Sequence, residues 1–134
     1  MPYVTSNITQ DMFMATSIQY VYIPLVRILG YTGAPSIYNA FYNCRNLVGI
    51  MVKSCTKVGG NIFYSSSLKY LIINQDNIPE LMSNTLYAKK VYVPDNLIEE
   101  YASADGWSSI SSKIFPFSQF GIDYPEETFW EDKW

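Results

Sequence analysis

The chain has no histidine. Imidazole acid–base chemistry and zinc sites of the Cys/His type are therefore excluded. Its two cysteines, Cys44 and Cys55, are too few for a disulfide framework and read as buried thiols filling small apolar positions. Charge is scarce as well: Asp, Glu, Lys and Arg make up 16% of 134 residues, with no basic run, which argues against a nucleic-acid surface. No apolar stretch reaches the ~18 residues of a membrane span. Met1-Pro2-Tyr3 lacks the basic start and apolar stretch of a secretory signal. The expectation is either the mature product of something longer or a destination outside the secretory pathway.

An enzyme inventory is also thin. The paired carboxylates Glu99-Glu100 and Glu126-Glu127 are adjacent in sequence, so they do not converge on one substrate atom as the two carboxylates of a glycan hydrolase must. Ser65-Ser66-Ser67 and Ser108-Ser109 have no histidine to act as base and suit turns and caps. Gly33 and Gly59-Gly60 lack the strand–glycine–helix context and the lysine of a phosphate loop. We expect no enzyme, no cofactor and no metal.

What the chain does have is a recurring spacing. Ile18-x-x-Val21-x-Ile23, Leu47-x-x-Ile50-x-Val52 and Leu68-x-x-Leu71-x-Ile73 share it, and Ala88-x-x-Val91-x-Val93 repeats it with a weakened first position. The last two apolar residues of each copy lie two apart, which on a strand puts both on one face. The copies begin 29, 21 and 20 residues apart, and this LxxLxL spacing is that of a leucine-rich repeat. Phe13, Phe41 and Phe63, each followed three residues later by Thr16, Cys44 or Ser66, read as further stacked positions. The expected fold is an α/β repeat, a short solenoid of about four rungs over residues 1–118, because no single copy can bury its apolar face alone.

Between the inward residues lie two outward columns. They are Tyr22–Met51–Ile72–Tyr92 and Tyr20–Gly49–Tyr70–Lys90. A face this rich in rings and aliphatic groups reads as a contact site, with Tyr20, Tyr22, Met51, Tyr70, Ile72, Lys90 and Tyr92 as its binding residues. Either it is exposed and meets a partner, or the tyrosines simply favour strands and the long first loop or the C-terminal tail folds over them.

After the fourth copy Pro94-Asp95 reads as a strand stop and helix N-cap. Leu97, Ile98, Tyr101 and Ala102 then follow at helical spacing, and Asp105-Gly106 ends the helix. Trp107 and Tyr101 are expected to cover the last rung and shield Val91 and Val93 from water. The stretch Val91-Tyr92-Val93-Pro94-Asp95-Asn96-Leu97, then Tyr101, Gly106-Trp107-Ser108 and Lys113-Ile114-Phe115-Pro116, resembles the C-terminal closing module of BspA-like leucine-rich repeat proteins. Ala40-Phe41-Tyr42-Asn43-Cys44-Arg45-Asn46-Leu47 is similar to that family's repeat opening. The resemblance covers residues 12–118, with the closing module at 91–118. It implies a binding or structural surface protein of gut anaerobes or of their phages, and no catalytic residues.

Residues 123–134 hold five acids, Asp123, Glu126, Glu127, Glu131 and Asp132, against Lys133, so the rest of the chain is nearly neutral. Residues 119–134 read as an acidic aromatic tail whose rings Phe129, Trp130 and Trp134 suit docking on another subunit or folding back on the chain itself. The functional expectation is a virion component, of a phage tail or fibre, acting in assembly or host-surface contact. Its partners would be protein chains or a host receptor within an oligomer or larger assembly, without nucleic acid or membrane insertion. The rival expectation is a cell-surface or extracellular adhesion module.

Overall fold

A computed structural model describes residues 19–23, 28–29, 44–58, 68–81 and 88–127. It is an α/β fold with mostly parallel strands and few helices. Four strands form where the spacing puts them: β1 (Tyr20–Ile23), β3 (Gly49–Val52), β5 (Tyr70–Ile73) and β7 (Lys90–Val93). They pair in parallel in sequence order, with Val21 opposite Ile50, Ile50 opposite Leu71, and Leu71 opposite Val91. Parallel neighbours need a crossover. Here the crossovers carry two-residue strands, β2 (Ile28–Leu29), β4 (Lys57–Val58) and β6 (Glu80–Leu81), which pair into a second parallel sheet. Strands of two residues leave no periodicity in the sequence, so the second sheet is visible only in the structure.

The main core lies between the two sheets. Val21, Leu47, Ile50, Val52, Leu68, Leu71, Ile73, Ala88, Val91 and Val93 are all buried in it, with Val58 from β4 and both thiols, Cys44 and Cys55. Burial pushes the Cys55 thiol up to about 12, so it stays protonated and packs as a small apolar group. Phe13, Phe41, Phe63, Thr16 and Ser66 lie outside the described residues, as do Ile18 and the glycines at 30, 33, 59 and 60.

Past β7 the chain makes a short 3-10 turn (Asp95–Leu97), helix α1 (Ile98–Ser103) and a longer 3-10 segment (Trp107–Lys113). Asp95 does not cap the helix as expected. Its Oδ1 instead accepts the Ser118 backbone N–H at 3.0 Å, tying the turn to a segment 23 residues further on. That contact holds the carboxyl below its ordinary range. Gly106, at φ +78°, makes the bend that brings Trp107 back, a conformation that L side chains rarely adopt. Tyr101 and Trp107 meet edge to face at 5.2 Å and pack into the main core with Val91 and Val93. The Trp107 indole N–H donates to the Pro79 carbonyl at 2.7 Å, giving its one polar atom a partner inside the core.

Tyr101 contrasts with Trp107. Its ring is fully buried, yet its hydroxyl has no hydrogen-bond partner among the described residues. A buried unpaired hydroxyl loses its hydration without return. Tyr101→Phe is therefore expected to leave urea-unfolding stability unchanged or raise it by about 1 kcal/mol. Tyr101→Ala should lower it by about 3–5 kcal/mol by opening a ring-sized cavity.

A fifth strand, β8 (Ile114–Pro116), pairs in parallel with β7, setting Ile114 beside Val91 and Phe115 beside Tyr92. These residues fall within the expected closing module, and the strand there is a finding of the structure. Pro116 stands on an edge strand, where a missing N–H is tolerated.

Candidate contact site

Both outward columns form in the expected register. Tyr22, Met51, Ile72 and Tyr92 stand opposite one another in turn, as do Tyr20, Gly49, Tyr70 and Lys90. Phe115 of β8 extends the first column. The face is not open, however. Met51, Tyr70, Ile72 and Tyr92 are fully buried, and Tyr20, Tyr22 and Lys90 are half-buried. Of the two readings of this face, exposed or covered, the second holds at these residues, and the cover is part of the expected tail.

From Pro116 the chain turns through a 3-10 segment (Phe117–Gln119) into helix α2 (Phe120–Asp123) and runs back across the sheet as a strap. Phe120 is its buried anchor, edge-on to Tyr70 at 5.0 Å and to Tyr92 at 5.1 Å, and stacked on Phe117 at 5.3 Å. Tyr124 lies 4.7 Å from Tyr70. These rings, with Met51 and Ile72, form a second apolar cluster separate from the main core. Pairs of this geometry contribute ~0.5–1.5 kcal/mol each beyond their buried area.

Gly49 makes the room. A Cβ there would sit 2.2 Å from a Tyr70 ring carbon, so the ring occupies the space that any side chain would claim. Glycine is used here for a close approach rather than for its backbone freedom.

One carboxylate fixes the strap. Asp123 Oδ2 accepts from the Tyr92 hydroxyl at 2.5 Å and from Lys90 Nζ at 3.0 Å, and Oδ1 accepts from Gln119 Nε2 at 3.1 Å. Lys90 also lies over the Phe115 ring at 5.1 Å, a cation–π arrangement. Tyr92 gives up its proton with difficulty, first because it is buried and then because it donates to Asp123. The strap reaches β1, where the Tyr20 hydroxyl donates to Glu127 Oε1 at 3.2 Å.

The donors of Tyr92, Gln119 and Lys90, in that order, pull the Asp123 carboxyl from 3.8 down to about 2. A depressed carboxyl stabilises the folded state fully above its unfolded value, and that contribution is lost as pH falls through the folded one. The strap should therefore loosen between about pH 4 and pH 2, ahead of the main core. Amide exchange at Tyr124, whose N–H donates to the Phe120 carbonyl at 2.8 Å, should accelerate across that window. In Asp123→Asn this Asp123-linked acceleration should be absent.

Of the tail rings, Phe129, Trp130 and Trp134 lie outside the described residues. Ile122 on α2 is 72% exposed, the large apolar side chain that the strap turns outward. At the far ends of β3 and β5 a shallow recess of about 510 Å³ is lined by Lys53, Asn74, Gln75, Asp76 and Asn77. Gln75 there is buried and structural: its amide donates to the Cys55 and Asn77 carbonyls at 2.7 and 2.9 Å and accepts the Cys55 N–H at 2.9 Å. Sequence reading missed Gln75. Its signal was parity, since it continues the inward series Leu71, Ile73 by two residues.

No helix among the described residues is long and apolar enough to cross a membrane. No family model matches this chain, and no curated protein matches it.

Proposed function

We propose that this chain is a leucine-rich-repeat solenoid that acts by contact, without catalysis, as a virion structural component in assembly or host-surface attachment. The observation that carries the reading is the paired progression of the two sheets. Each copy of the spacing in β1, β3 and β5 is followed by one strand of the second sheet, and all neighbours stack in register. That is how repeats that cannot fold singly share a core. The likeness of the closing module to BspA-like proteins supports a surface role.

With the sheet face sealed by the strap, the contact function moves to the chain end. Glu127 sits at β1, and the seven residues after it include Phe129, Trp130 and Trp134. Large rings of this kind carry much of an interface's energy. Replacing Trp130 and Trp134 with alanine should weaken association with the partner or with a second copy by about 2–4 kcal/mol, measured by sedimentation equilibrium or calorimetric titration, while the fold is kept. Mass spectrometry of purified phage particles should find the chain as a stoichiometric component. Recovery in a bacterial envelope fraction instead would give the adhesion-module reading, and recovery in neither would overturn the contact role at a surface.

A further inference from the structure

We propose that Lys90 and Tyr92 form a carboxylate-binding site within the aromatic sheet face, occupied in the single chain by its own Asp123, and that the strap of a second copy can enter it by exchange. The inference stands whether or not the chain is a virion component. The site is built by the sheet alone: Lys90 Nζ and the Tyr92 hydroxyl converge on one carboxylate oxygen at 3.0 and 2.5 Å. Phe115 backs the ammonium and Tyr70 walls the adjoining ring pocket. One cationic and one neutral donor set among rings select an extended segment carrying rings and an acid together, by charge and by shape.

Such a segment is the strap itself, with Phe117, Phe120, Asp123, Tyr124 and Glu127. Three features make it exchangeable. It is joined to the body through Pro116, which is extended at φ −68°, ψ 148° and ends edge strand β8, so a change of direction there releases only the end of that strand and the Ser118 bond to Asp95. Its rings belong to a cluster separate from the main core, so lifting it leaves Val21, Ile50, Leu71, Val91 and Ile114 buried between the sheets and the closing helix. The contacts re-form identically in trans, so exchange between copies costs only the hinge change and the entropy of association. Within one chain the strap competes at an effective concentration on the order of millimolar, and a crowded assembly brings second copies into that range.

The test is complementation between two full-length variants. One, Phe120→Ala with Asp123→Ala, carries an intact sheet and a weakened strap. The other, Lys90→Ala with Tyr92→Phe, carries an intact strap and a weakened site. Mixed at hundreds of micromolar and analysed by size-exclusion chromatography with light scattering, they should form a 1:1 heterodimer. Its association should be at least about tenfold tighter than self-association of either variant, since only the mixed pair joins a sound strap to a sound site. If both variants are folded by circular dichroism and the mixture stays monomeric, the exchange is wrong. Should either variant fail to fold, a fluorescent peptide of residues 117–127 titrated against the single variant Asp123→Ala, whose own strap no longer fills the carboxylate site, decides. Saturable binding that drops at least about tenfold when the peptide carries Asp123→Asn supports the site. Absent binding, or binding indifferent to the carboxylate, overturns it.

Discussion

Gln75→Leu is expected to cost the protein about 2–5 kcal/mol, although leucine nearly matches the volume it replaces. The Gln75 amide fits between polar groups of the backbone, accepting the Cys55 N–H and donating to the Cys55 and Asn77 carbonyls. Leucine withdraws these partners inside a buried environment, and each buried polar group so deprived costs about 1–3 kcal/mol. Urea unfolding should show a lower midpoint at unchanged slope. Amide exchange at Cys55 should rise more than exchange at Leu71. Gln75→Glu offers an internal control: a carboxylate cannot donate to the two carbonyls, so this variant should recover part of its stability when acid restores a proton.

Leu71→Ala should destabilise by a similar amount, about 2–5 kcal/mol, for a different reason. Leu71 is fully buried at the centre of the five-stranded sheet, with Ile50 on one side and Val91 on the other. Parallel strands held in register leave little freedom to collapse around the void, so the cavity cost adds to the lost transfer energy. A loss below about 1 kcal/mol in chemical denaturation would show that the site relaxes, and that the stack is looser than its burial indicates.

The inward pattern was legible because strand parity and spacing act on single side chains. Val21, Ile50, Leu71 and Val91 could be placed in register from the sequence, as could the outward columns. The cover over the outward face was harder to read, yet Met51 and Ile72 carried a sign of it. A parallel strand covered on both faces reads as a continuous apolar run, and Leu71-Ile72-Ile73 does so. Nothing local in residues 117–127 says where they dock, since the anchor Asp123 meets Lys90 and Tyr92 only through the closed fold. Asp95 was misread for the same reason: its local context suits a cap, and its partner Ser118 comes from afar.

The bond between Tyr20 and Glu127 joins positions 107 residues apart. A stack whose strands touch only their neighbours behaves as a line, and a line frays from its ends at little cost. The strap converts that line into a ring, because the segment bonded to the first strand through Glu127 is also anchored on β7 through Asp123. Peeling β1 away then disturbs the packing that crosses to β7 and β8, so neither end opens alone. For as long as the strap is seated, a small stack with so few strands is guarded at both ends at once, and releasing the strap returns it to a line that frays.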